Sequence, residues 1–147
     1  NARGAFYGLT LGTTRSDITR SVMEGVTFSL KQVVDLMKSF TPCEKVYTSG
    51  GGSASALWRQ MQADVFDLPV YTMSAAGEGG AYGAIMVAGV GAGVWKNLSE
   101  AVSIVRVETE TLPIRENQKA YQDAFEIYAK LYPALKPVYD LSASKGF

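Results

Sequence analysis

What most restricts the fold of this chain is an alternation. Short runs of β-branched and aromatic residues pass through glycine-rich turns into stretches whose apolar residues recur every three or four positions. Residues 4–11 (GAFYGLTL) read as a buried strand ending at Gly12. Thr13, Thr14 and Asp17 supply helix-start chemistry, a hydroxyl cap with an acid in the first turn. Ile18, Val22, Val26, Leu30, Val33, Met37 and Phe40 then form one stripe of a long amphipathic helix, predicted to face the core and to stop at Pro42. Gly25 interrupts that helix and predicts close packing against a strand. Residues 45–49 form a second strand, and Ser55 caps a second helix with Leu57, Met61 and Val65 on one face. Residues 68–73 form a third strand. Gly77, Glu78, Gly79 and Gly80 lead into a third helix from Ala81 to Gly91. A short helix over 98–105 and an extended or loop segment over 107–112 follow. The last helix runs from Asn117 to Tyr132 with Tyr121, Phe125, Tyr128 and Tyr132 as a core-facing stripe. Pro133 and Pro137 are expected to close it, leaving 142–147 as a frayed tail. Strand alternating with helix predicts an α/β fold with parallel strands.

Composition narrows the chemistry. With 14 basic and 14 acidic residues the net charge is zero, so nothing draws the chain to DNA, RNA or an anionic membrane. There is no His, which removes Ser-His-Asp and Cys-His catalysis and imidazole metal sites. The single cysteine, Cys43, cannot form an internal disulfide and fits a reducing cytoplasm. Residues 79–95 carry no charge but are rich in Gly and Ala, and read as a buried helix rather than a membrane span. Asp17, Asp64 and Asp67 read as structural acids, so the chain offers no convincing general base.

The segment Val46-Tyr47-Thr48-Ser49-Gly50-Gly51-Gly52-Ser53 is the most informative local feature, a strand running through three glycines into a helix. Without a Cβ the backbone can approach a flat base or a phosphate, and the helix start adds N–H groups and a positive dipole end. It is neither a Walker A loop, lacking the Lys-Ser/Thr pair, nor a G-x-G-x-x-G fingerprint, since Ser55 takes the last position. By itself it reads as a plain tight turn or as a nucleotide contact. Glu78 reads as a charge on a helix dipole or as a loop-holding contact.

Residues 4–9 followed by Asp17-Ile18-Thr19-Arg20-Ser21-Val22-Met23-Glu24 resemble the second signature of the FGGY carbohydrate kinases. The glycine turn followed by Leu57-Trp58-Arg59-Gln60-Met61 and Ala63-Asp64 resembles that family's adenosine motif. Residues 78–84 resemble its last glycine turn. Residues 2–10 and 131–136 are most similar to the family's xylulose kinases. The resemblance covers nearly the whole chain.

It implies a ribonuclease-H-like domain of the actin-like ATPase class, with a mixed sheet flanked by helices and apparently incomplete. Residues 1–147 would be the later part of the second, ATP-binding domain, without its first two antiparallel strands. The implied reaction is ATP-dependent phosphorylation of a ketopentose, D-xylulose to xylulose 5-phosphate, with Mg²⁺ bridging the phosphates. Sugar would bind mainly to an absent first domain, and the catalytic aspartate would lie upstream, outside this chain. Gly51 and Gly52 would lie against adenine and ribose, with Ser53 at the following helix start. Ala56 falls where relatives often carry an adenine-contacting Asn. Another FGGY substrate (glycerol, gluconate or ribulose) or a non-catalytic actin-like nucleotide-binding module remain alternatives. ATP and sugar are the expected partners, nucleic acid and membrane are not, the cytoplasm is the expected location, and pairing through the edge of residues 4–11 would give a homodimer.

Overall fold

A computed structural model describes residues 1–74 and 79–146. Helix α1, Arg15–Lys38, opens on a reciprocal capping box. The Asp17 N–H donates to Thr14 Oγ1 (3.2 Å), and the Thr14 N–H donates to the Asp17 carboxylate (2.8 Å). Strand β1, Val46–Tyr47, is followed by a single 3-10 turn, Gly51–Ala54, and by helix α2, Ala56–Phe66. Ser55 caps α2 by accepting from the Trp58 N–H. Asp67 closes it in the left-handed region, φ 52°. Strand β2, Val70–Met73, helix α3, Gly79–Gly91, helix α4, Leu98–Val102, strand β3, Val107–Thr111, and helix α5, Arg115–Ser144, complete the described chain.

The sheet has the order β1-β2-β3. β1 and β2 are parallel, Val46 opposite Val70, as a strand–helix–strand crossover through α2 requires. β3 is antiparallel to β2, with Tyr71 opposite Glu110, Thr72 opposite Thr109, and a bulge after Thr72. Residues 107–111, expected as extended or loop, form a strand, and the sheet is mixed, as the family resemblance implies, and not parallel throughout as the strand–helix alternation alone predicts. The Thr72 and Thr109 hydroxyls meet at 2.6 Å on the covered face, a cross-strand pair that holds register.

α2 is the centre of the molecule. Met61 to Phe66 are all buried, and with Phe28, Leu68 and Val70 they make the core. α1 and α5 cover it. Phe28 meets the rings of Tyr121, Phe125 and Tyr128, so the first three members of the aromatic stripe pack as expected. Tyr132 is exposed.

Several expectations are corrected. The core-facing side of α1 carries Met23, Thr27, Phe28 and Val34, while the stripe from Ile18 to Phe40 is exposed throughout. α1 thus has two apolar faces, and among the described residues the longer-patterned one stays exposed. Residues 4–11 join no strand. They lie along that second face, where residues 4–9 line a groove of about 700 Å³ with Ile18, Val22 and Val26. Gly25 borders the same groove and has open space where its Cβ would be, so no strand packs there. Leu57 is exposed, and of α3 only Met86 is buried, because α3 rests mainly on the short α4. α5 passes through Pro133 and Pro137 and continues to Ser144, into the segment expected to fray. The Lys136–Asp140 ion pair and a hydrogen bond from Asn1 to Asp140 hold those last turns. The lost bonds of the two prolines, four residues apart, fall on one face of the helix.

Candidate functional site

In a parallel α/β arrangement the loops after the strands' carboxyl ends converge, and that edge is where ligands are bound. Here β1 runs out into the glycine turn of residues 50–52, and beyond β2 the described chain resumes at Gly79 with α3. Thr48 still pairs with β2, its N–H donating to the Tyr71 carbonyl at 2.9 Å. The chain then turns at Gly50, whose φ of 83° is a conformation that glycine takes without strain. Gly79, at the start of α3, comes up beside it: a Cβ there would lie 3.2 Å from Ser49. The start of α3 is thereby a neighbour of the segment that leaves β1. Glu78, with Gly77, lies outside the described residues.

The four candidate contact residues differ from one another. Gly51 is exposed and has open space around the position of a Cβ. Among the described residues no hydrogen bond engages the Gly51 or Gly52 N–H. Gly52 is half-buried, and a Cβ on it would lie 2.7 Å from Cζ3 of Trp58. Its missing side chain makes room for an indole beneath the turn rather than for a ligand above it. Ser53 is buried, and its hydroxyl donates to the Gly50 carbonyl at 2.7 Å. It stands inside the 3-10 turn instead of at the start of α2, and its proton is used to brace that turn. Ala56 is exposed as the first residue of α2. Gly51 and Ala56 therefore present the open surface, and Gly52 and Ser53 support it.

The supports come from α2, and sequence reasoning missed them. The Arg59 guanidinium donates to the Ser53 carbonyl at 2.5 Å. The Trp58 indole Nε1–H donates to Thr27 on α1 at 3.0 Å. A Trp placed three residues after a serine cap was visible in the sequence, but its partner in α1 was not. Asp64, read as structural, is so. Buried at 4% exposure, it accepts from the Ile114 N–H (2.7 Å), Asn117 Nδ2 (2.8 Å) and Gln60 Nε2 (2.8 Å). It caps the start of α5 from α2. Asp67 accepts from Gln118, and Asp17 is spent in the capping box. All three are hydrogen-bonded to groups that hold helix ends or helix packing in place.

Residues 1–92 match the C-terminal domain of the FGGY family of carbohydrate kinases. The chain belongs to that family. A xylulose kinase from Staphylococcus xylosus is 34% identical over 134 residues, 90% of this chain and 28% of the relative. A glycerol kinase from Enterococcus casseliflavus is 37% identical over 128 residues, 82% of this chain and 25% of the relative. The crystal structure of xylulose kinase from Rhodospirillum rubrum superimposes with a TM-score of 0.79 at 27% identity, over 95% of this chain and 28% of that one. The chain spans little more than a quarter of the length of the relatives it matches. The mixed α/β fold is that of the family's actin-like ATPase class. Among the described residues there is no cluster of three or more Cys, Asp or Glu side chains that could hold a metal ion by themselves. No helix among them is long and apolar enough to cross a membrane.

Proposed function

We propose that this chain is the later part of the second domain of an ATP-dependent sugar kinase, and that it holds the adenosine of ATP. The observation that carries this reading is Gly51. It is an exposed glycine with open space above it, on a braced turn at the carboxyl end of a parallel strand pair. The residues fit a flat base and ribose: Gly51 and Ala56 give a surface without obstructing side chains, and Gly52 and Ser53 fix its shape. When bound, ATP supplies the phosphoryl group. The residues described here orient the nucleoside and leave the transfer itself to groups elsewhere. Phosphoryl transfer depends mostly on positioning and charge stabilisation, so a part without a reacting group still contributes to rate.

D-Xylulose is the proposed acceptor, giving xylulose 5-phosphate and ADP. Similarity to the S. xylosus relative extends over more of this chain than similarity to the glycerol kinase, which supports the choice. Glycerol is the second reading, favoured by the higher identity of that glycerol kinase. An ADP-release assay of the full-length kinase with D-xylulose, glycerol, gluconate and ribulose decides between them. The highest kcat/KM is expected on D-xylulose, and a higher value on any other acceptor overturns that assignment. The 147-residue chain alone is expected to show no xylulose-dependent ATP consumption.

A further inference from the structure

Trp58 holds three contacts at once. Its backbone N–H closes the cap on Ser55, its ring fills the space under Gly52, and its indole N–H reaches across to α1. The acceptor there, Thr27, is fully buried, and its own hydroxyl proton goes to the Met23 carbonyl at 2.8 Å. A hydroxyl has one proton to give and an indole N–H can only donate, so the direction of the relay is fixed: Trp58 to Thr27 to Met23. This bond sets the ring's rotation about its side-chain torsions. The ring in turn is a floor for Gly52, because any closer approach of the turn would overlap it. Arg59 holds the far end of the turn through the Ser53 carbonyl.

We infer that Trp58, oriented by Thr27, is a positioning residue for nucleotide binding: it sets the height of the Gly51 surface by acting through Gly52. The inference rests on the nucleotide reading above. Thr27 is buried and Trp58 partly buried behind the turn, and their effect is on the shape offered to the nucleoside and not on the sugar.

The test uses the full-length kinase with ATP and D-xylulose titrated separately, in Thr27→Val, Thr27→Ser, Trp58→Phe and the Thr27→Val/Trp58→Phe double variant. Thr27→Val removes the acceptor and Trp58→Phe the donor. Each is expected to weaken ATP binding about tenfold, equivalent to ~1.4 kcal/mol. The double variant is expected to be no weaker than the weaker single one, since both remove the same bond. Thr27→Ser keeps the oxygen and is expected to stay near the parent. Sugar affinity is expected to be unchanged, and amide hydrogen exchange at residues 50–54 to speed up in Thr27→Val without any nucleotide. If ATP binding is indifferent to Thr27→Val, or ATP and sugar affinities fall together, the positioning role is overturned and the pair is merely structural. If the parent binds no ATP, the nucleotide reading fails and the role falls with it. Should Trp58→Phe fail to fold, the contrast of Thr27→Val with Thr27→Ser decides.

Discussion

Three adjacent glycines do three different jobs, and the sequence cannot tell them apart. Gly50 supplies a positive φ, Gly52 makes room for an indole, and Gly51 leaves a surface open. The distinction gives a pair of substitutions with opposite signatures. Gly51→Val points into open space and should leave the thermal midpoint near the parent's while weakening ATP binding. Gly52→Val drives methyl groups into a ring held by Thr27. Overpacking of this kind costs about 1–3 kcal/mol, so the midpoint should fall. Thermal melts alongside ATP titrations of both variants check this. A Gly51→Val chain that binds ATP like the parent would remove Gly51 from the site. Ser53 carries the same lesson: its type suited a ligand contact, yet its proton is already committed to Gly50.

At the scale of elements, local chemistry was legible and long-range pairing was not. The caps of α1 and α2 depend on neighbours within a turn, and both are found, while the aromatic stripe of α5 packs inward at Tyr121, Phe125 and Tyr128 and is exposed at Tyr132. Which stripe of α1 faces inward depends on α2 and α5, far along the chain. Periodicity therefore selected the longer stripe, while Thr27, a polar residue, turned out to be at the centre of the buried one. Residues 107–111 read only as extended or loop because Thr and Glu dominate them, and pairing with β2 is what makes them a strand and engages Glu110 through a hydrogen bond from the Tyr71 hydroxyl. The α1 cap has a consequence in acid. The Asp17 carboxyl lies below its ordinary value of 3.8 because the Thr14 N–H and hydroxyl both donate to it. A carboxyl lowered in the folded state stabilises the fold above its unfolded value, and that contribution is lost as pH falls through the folded value. Melts of the parent and of Asp17→Asn should therefore differ most at neutral pH and converge as the pH falls below the lowered folded value, where the Asp17 carboxyl is protonated in both states. A gap that persists into strong acid would show that the carboxylate's charge plays no part in the cap.

The whole molecule is unevenly finished. One side of α1 is packed against α2 and α5. The other leaves Val22 and Val33 each 53% exposed, beside a segment in which Phe6, Tyr7 and Leu9 are exposed as well. Isolated apolar residues on a surface need no explanation, but a continuous stripe beside an apolar groove does. Full burial of an aliphatic side chain is worth about 1.5–3 kcal/mol, so covering only a few of these residues gives a strong drive to associate. β1 adds to it. Among the described residues it is an edge strand, hydrogen-bonded only to β2, with Tyr47 nearly half exposed. The 147-residue chain, expressed by itself, is expected to self-associate with rising concentration in sedimentation velocity and to bind a hydrophobic dye. Val22→Lys with Val33→Lys places two charges on the stripe without touching the α2-facing side of α1. That variant should remain folded by circular dichroism, shift toward monomer and lose much of its dye binding. If it associates as the parent does, the contact lies elsewhere, with the β1 edge as the next candidate. If the parent is monomeric across the concentration range, the stripe is not an associating surface at all.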